Sequence, residues 1–87
     1  MKIILAVIRD SDEAQVVEEM VKLGIRVTRM AGTGGFLRRG NVTLMIGVEE
    51  EKLPTVMDLI KKTCTLEEGF ENRAVIFVLN AIDFKKV

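Results

Sequence analysis

The sequence lacks the residues on which most catalytic and metal centres depend. Histidine is absent, and Cys64 is the single cysteine. Histidine is the commonest general acid–base residue and zinc sites use clusters of cysteine and histidine, so we expect neither an enzyme nor a metalloprotein. One cysteine cannot form an intrachain disulfide, which fits a reducing compartment and a small buried thiol. The composition therefore predicts a cytoplasmic protein without catalytic residues, metal or cofactor.

The chain also lacks an excess of charge. Basic and acidic residues both number 13, so the formal net charge is zero and no overall basic field would attract duplex nucleic acid or an anionic membrane. The apolar start, residues 1–8, is too short for a membrane span or a secretion signal. Tryptophan and tyrosine are absent, so the core must be aliphatic. We expect residues 1–87 to form one small domain, which oligomerisation would help to stabilise.

Hydrophobic periodicity predicts alternating strands and helices. Asp10 as N-cap with Glu13 three residues later is a capping-box pattern, and Gly24 is a typical helix stop. Strands are predicted over 2–8, 25–31, 42–48 and 74–79, and helices from Asp10 to Gly24 and over 49–63. The core face of the first helix is predicted to carry Val17, Met20 and Val21. The core face of the second helix is predicted to carry Leu53, Val56, Met57, Ile60 and Cys64. The order βαββαβ predicts an α+β ferredoxin-like sandwich, an antiparallel sheet with both helices on one face.

Strand alternation separates two sets of side chains. Ile25 and Val27 should face the helices, whereas Arg26 and Thr28 should face the open side of the sheet. In the third strand the core set is Val42, Leu44, Ile46 and Val48, and the open set is Asn41, Thr43, Met45 and Gly47. Polar residues would thus gather on the helix-free face, either as a site or simply in solvent. A glycine inside a strand favours a site, because it weakens the strand unless a backbone or ligand approaches closely.

The run Thr33–Asn41 is more than a connector between these two strands. It holds three glycines, an aromatic residue and two arginines within nine positions, whereas a plain hairpin needs two to five residues. Glycines permit close backbone approach, Phe36 offers a flat stacking face, and Arg38 and Arg39 carry charge suited to phosphate. The run predicts a loop that binds a planar, anionic ligand.

The sequence from Thr33 to Thr43, TGGFLRRGNVT, resembles the TGGFLRxGNxT signature of the PII-like cyclic di-AMP receptor family. The similarity extends to residues 3–10, 26–28, 47–48 and 76–79, and so covers nearly the whole chain. It implies a PII-like fold and cytosolic homotrimers that bind the cyclic dinucleotide in clefts between subunits, rearrange their loops and perform no catalysis.

The resemblance also assigns ligand contacts. Phe36 would stack on an adenine, Thr28 and Asn41 would hydrogen-bond base or sugar edges, and Arg26 with loop amides would meet phosphate. The ligand-binding residues implied are Arg26, Thr28, Gly35, Phe36, Leu37, Asn41 and Gly47. Apolar residues on the open face, Met30 and Met45 among them, would be covered by the symmetric assembly.

The chain departs from the family at Thr65–Asn72, where family members carry a longer, glycine-containing second loop. Phe70 could be a second stacking surface or an anchor to the core. Three readings stay open: binding of cyclic di-AMP, binding of another adenine nucleotide, or a nucleotide-free module that docks a protein partner. The downstream partner is unknown. An RNA-recognition domain would need aromatic residues on a central strand, which Thr43–Gly47 lacks, and a chain without tyrosine cannot be controlled by the tyrosine uridylylation of PII regulators.

Overall fold

The computed structural model describes residues 1–30, 40–64, 74–82 and 85. Its elements are strand β1 (Lys2–Arg9), helix α1 (Asp10–Lys22), strands β2 (Val27–Met30) and β3 (Asn41–Val48), a 3-10 turn (Glu50–Lys52), helix α2 (Leu53–Thr63) and strand β4 (Val75–Asn80). The strands form one antiparallel sheet in the order β2-β3-β1-β4. This is the ferredoxin-like α+β fold predicted from the sequence. Within the described ranges no helix has both the length and the apolar character that a membrane crossing requires.

The core lies between the sheet and the two helices. Alternate residues of β1 and β3 point toward the helices and are almost fully buried, as the period of two predicts. This buried face comprises Ile4, Ala6, Ile8, Val42, Leu44, Ile46 and Val48, and the helices cover it with Val16, Met20, Val56 and Ile60. All four residues predicted for the core face of the third strand are confirmed.

The start of α1 differs from the prediction. Asp10 is already helical, the N-cap is the extended Arg9, and no side chain caps the helix, so the predicted capping box is wrong. The reason is the sheet: β1 continues through Arg9, which pairs with Asn41, and the Asp10 amide donates to the Gly40 carbonyl at 2.8 Å. The carbonyl of Gly40, just before β3, therefore accepts the hydrogen bond of the first amide of the helix.

The end of α1 agrees with the prediction. Gly24 has φ +72°, and the Ile25 amide donates to the Met20 carbonyl at 3.0 Å, as in a Schellman-type helix end. One residue on the helix was misplaced. Val21 is 64% exposed while Val16 is fully buried, because the buried stripe runs through positions 12, 16 and 20.

Other boundaries moved by a few residues. β2 begins at Val27 rather than at position 25, so Arg26 lies just outside the strand. α2 begins at Leu53 after the 3-10 turn, with Pro54 in its first turn as predicted. Met57, expected in the core, is 37% exposed. Cys64 directly follows α2 and is buried, as expected.

Candidate functional site

The face of the sheet opposite the helices contains two different surfaces. Residues directly opposite each other in an antiparallel pair share a face, so the strand registers give this surface as rows across the sheet. The rows are Thr28–Met45–Leu5–Phe77, Met30–Thr43–Val7–Val75 and Gly47–Ile3–Leu79, with Asn41 opposite Arg9 at one end. The polar side chains lie mainly on β2 and β3, and the apolar ones on β1 and β4.

The β2–β3 half contains the described candidates for ligand contact. Thr28 is exposed, and Thr43 and Asn41 are half-buried. Arg26 is also exposed, just before β2. Hydroxyl, amide and guanidinium groups are suited to the edges and phosphates of a nucleotide. This half of the face therefore groups the described polar residues that are proposed from the sequence as ligand contacts.

The β1–β4 half is apolar. On β4, Val75, Phe77 and Leu79 are 45%, 38% and 50% exposed, and Met45 of β3, which adjoins Leu5 of β1 on the same face, is 37% exposed. Exposed apolar residues that adjoin one another on a sheet are typical of a surface that another protein covers. We call this apolar half, made of Ile3, Leu5, Met45, Val75, Phe77 and Leu79, the apolar panel.

The predicted polar residues do not all meet within one chain. Extending the β2–β3 register by one residue places Arg26 beside Gly47, next to Thr28. Asn41 is at the other end of β3, six residues from Gly47 and hence about 20 Å away at the antiparallel rise. The expected single cluster is thus two groups, one at each end of the strand. Alternation gives the face of each residue, and the residue spacing gives the distance along the strand, which the expectation of one cluster did not take into account.

Gly47 is a glycine that this chain itself does not require. It lies on the open face with a backbone conformation that other residues adopt, since only Gly24 and Gly40 have positive φ among the described residues. A Cβ atom at Gly47 would meet Ile3 Cδ1 at 3.7 Å and Met1 Sδ at 3.9 Å, which are ordinary contacts. A methyl group at this exposed position would therefore fit against Ile3 and Met1 without a clash, and the fold of the protomer gives no reason for a glycine there.

Three predicted ligand residues, Gly35, Phe36 and Leu37, lie outside the described residues, as does the predicted second loop. Gly40, where the glycine-rich run rejoins the sheet, has φ +92° and accepts the hydrogen bond from Asp10. This is a conformation that side chains with a Cβ rarely adopt. The backbone conformation at the start of β3 therefore explains why residue 40 is a glycine.

The comparisons with known proteins concern this same framework. A family model described as a cyclic-di-AMP receptor matches residues 1–73. The chain belongs to the cyclic-di-AMP receptor family. A crystal structure of a functionally unknown protein from Pediococcus pentosaceus ATCC 25745 is 33% identical, with 99% of this chain and 96% of that one aligned and a TM-score of 0.80. The family match includes every predicted ligand residue and ends just before β4.

A groove of about 510 Å³ lies on the other side of this family member, between the two helices. Its charged groups are paired along each helix: Lys22 with Glu19 at 3.1 Å, and Lys62 with Asp58 at 3.0 Å. None of the described ligand candidates lines it. The groove is therefore separate from the candidate site.

The cysteine of this receptor-family chain is buried and protonated at neutral pH. Cys64 is 3% exposed. Burial raises the pKa of the Cys64 thiol to about 11; the Asp12 carboxylate contributes to the rise, and the Arg9 guanidinium opposes it. A neutral thiol is a poor nucleophile. The side chain thus has the packing role that the sequence predicts.

This pKa gives a pH dependence of stability. Between pH 9 and pH 11 an unfolded thiol loses its proton while the folded thiol keeps it, so the folded state binds more protons and the free energy of unfolding falls as pH rises. We expect Cys64 to contribute a loss on the order of 1–2 kcal/mol across this range. Urea titrations at pH 8 and pH 11 of the unmodified chain and Cys64→Ala measure it. Equal losses in both proteins would show that the thiol does not contribute.

Sequence reasoning missed two side chains near the candidate site. Arg9 lies opposite Asn41, although the predicted strand stopped before it. Extending the predicted first strand by one residue would have placed Arg9 on the open face of the sheet. Glu13 was assigned to a capping box, but its carboxylate lies 3.0 Å from the Arg29 guanidinium of β2. No local sequence pattern indicates that contact.

Proposed function

We propose that this protein is a non-catalytic cytoplasmic receptor for cyclic di-AMP, which binds at clefts between the subunits of a homotrimer. The site would comprise Arg26, Thr28, Gly35, Phe36, Leu37, Asn41 and Gly47, with roles as the family resemblance implies. Binding would rearrange the glycine-rich loop and so signal to a protein partner. Membership of the cyclic-di-AMP receptor family supports the ligand.

The observation that carries the proposal is an exposed strand glycine, Gly47, which the protomer itself does not require and which lies beside exposed polar groups. A strand glycine where an alanine would fit costs the chain conformational entropy without a benefit inside the protomer. Thr28 lies diagonally from Gly47 on the same face. Arg26 lies opposite Gly47 when the register is extended by one residue. A ligand whose ring or backbone comes close to Gly47 and hydrogen-bonds to Thr28 accounts for all three residues.

The distance along β3 supports a site shared between subunits. Asn41 and Gly47 are about 20 Å apart on one chain, so a ligand in contact with both residue types is more readily served by two copies. The apolar panel supplies a reason for copies to associate, because association would bury its exposed side chains. The second wall of the cleft would then belong to the partner copy.

Isothermal titration calorimetry with cyclic di-AMP, ATP and cyclic di-GMP tests the proposal. We expect saturable binding of cyclic di-AMP at about one ligand per chain, with the mass of a trimer in sedimentation equilibrium. If only ATP bound, the protein would still be a nucleotide receptor, but its ligand would be ATP rather than cyclic di-AMP. Absence of binding with all three, in a folded protein, would contradict the receptor function and favour the apolar panel as a docking surface for another protein.

A further inference from the structure

β2 contains Thr28 and precedes the glycine-rich run, yet few interactions stabilise this strand. It has four residues, lies at an edge of the sheet and, among the strands that the structure describes, pairs with β3 alone. Its beginning is anchored, because the preceding Ile25 is buried and hydrogen-bonded to the end of α1. Its far end, Thr28 to Met30, is exposed. Short edge strands of this kind open easily.

An ion pair reaches that far end from α1. Arg29 lies opposite the fully buried Leu44, which puts its side chain on the helix side of the sheet. There its Nε lies 3.0 Å from Oε2 of Glu13, whose side chain is only 24% exposed. The pairs Lys22–Glu19 and Lys62–Asp58 each stay within one helix, whereas Glu13–Arg29 joins a helix to a strand.

The same turn of α1 also holds the strand on the other side of the run. The Asp10 amide donates to the Gly40 carbonyl at 2.8 Å, just before β3 begins. Asp10 and Glu13 are three residues apart and hence about one helical turn apart. Both strand ends that flank the glycine-rich run are therefore fastened to the first turn of α1, one by a backbone bond and one by an ion pair.

The geometry points to Glu13 as a positioning residue for the nucleotide site. By holding Arg29 on the helix side, Glu13 fixes the adjacent Thr28 on the open side before any ligand arrives. A strand that is already ordered loses less conformational entropy on binding, so the affinity is higher. This inference rests on the proposed function, because it concerns the same site.

The test is a double-mutant cycle with Glu13→Gln, Arg29→Gln and both together, plus the exchanged pair Glu13→Arg with Arg29→Glu. We expect each single change to weaken cyclic di-AMP binding by about two- to fivefold, the size typical of a partly exposed ion pair. The double variant should lose no more than either single one, and the exchanged pair should recover part of the affinity. Glu18→Gln is the matched control, since Glu18 pairs with Lys22 at 3.9 Å within α1.

Amide hydrogen exchange of β2 in the ligand-free variants separates this idea from the proposed function. We expect faster exchange at Thr28–Met30 in Glu13→Gln, with a melting temperature lowered by no more than a few degrees and little change of exchange in β1. Unaltered exchange would overturn the positioning role, and so would faster exchange with unaltered affinity or an equal loss in Glu18→Gln. If the unmodified chain does not bind cyclic di-AMP, the proposed function fails, and the positioning role fails with it as far as this ligand is concerned.

Discussion

Gly47→Ala is expected to weaken cyclic di-AMP binding by about 30- to 150-fold, or roughly 2–3 kcal/mol, while the folded chain becomes no less stable. The added methyl group would make ordinary contacts with Ile3 and Met1 inside the protein. Alanine in a strand is favoured over glycine by about 0.5–1 kcal/mol. The loss would arise where the methyl group occupies the space of the ligand. Calorimetric titration and urea denaturation measure the two effects separately.

Gly40→Ala is the contrasting variant. Gly40 has φ +92°, and no atom of the described residues lies within 4 Å of an added Cβ, so we attribute the strain of its substitution to backbone conformation. We expect it to lower the free energy of unfolding by about 1–2 kcal/mol. If Gly47→Ala also destabilised the chain, the glycine would serve the fold. If Gly47→Ala left both affinity and mass unchanged, Gly47 would have no place in the site.

Leu79→Asp is expected to convert the assembly to monomers. Leu79 is 50% exposed and belongs to the apolar panel, opposite Ile3. In an isolated chain an aspartate there would remain in contact with water and cost little. In an assembly that covers the panel, it would be a buried, unpaired carboxylate, which costs roughly 3–5 kcal/mol and corresponds to a rise in the dissociation constant of at least about a hundredfold.

Val78→Asp provides the matched control on the same strand. Val78 is 43% exposed, close to Leu79, but lies opposite Ile4 and so faces the helix side. Sedimentation equilibrium should give monomers for Leu79→Asp and the unaltered mass for Val78→Asp, with circular dichroism showing both to be folded. A trimer that persists in Leu79→Asp would exclude the apolar panel as its interface. Loss of assembly in both variants would indicate that pairing along the β4 edge, rather than one face, holds the copies together.

The sheet could be predicted from the sequence where a period of two decides the structure. Val42, Leu44, Ile46 and Val48 are buried because each alternate position of β3 faces the helices. The helix faces were harder to predict. The buried stripe of α1 includes the charged Asp12, 7% exposed, and a hydrophobic pattern cannot select a carboxylate for the core. Val21 was chosen in its place.

For the candidate site, strand alternation predicted the face of each described residue but not its contacts with elements distant in sequence. The faces of Thr28 and Gly47 follow from alternation, and the registers agree with them. The separation of Asn41 from Gly47 follows from their six-residue spacing on one strand and could have been read from the sequence. The ion pair of Glu13 with Arg29 depends on how elements distant in sequence are placed. The order of the strands in the sheet also depends on contacts between distant elements, because hydrophobic periodicity does not show which strands are neighbours.

The placement of β1 has a consequence for how the chain is made. β1 is an inner strand, and one of its two neighbours is β4, with Lys2 opposite Asn80. Contacts this far apart in sequence require closure of a loop of nearly the whole chain, which slows folding. During translation, the emerging chain would carry an apolar, half-paired β1 until residues 75–80 had left the ribosome. A nascent chain halted before β4 should therefore be a client for chaperones, and release of β4 should be the event that lets the four-stranded sheet close.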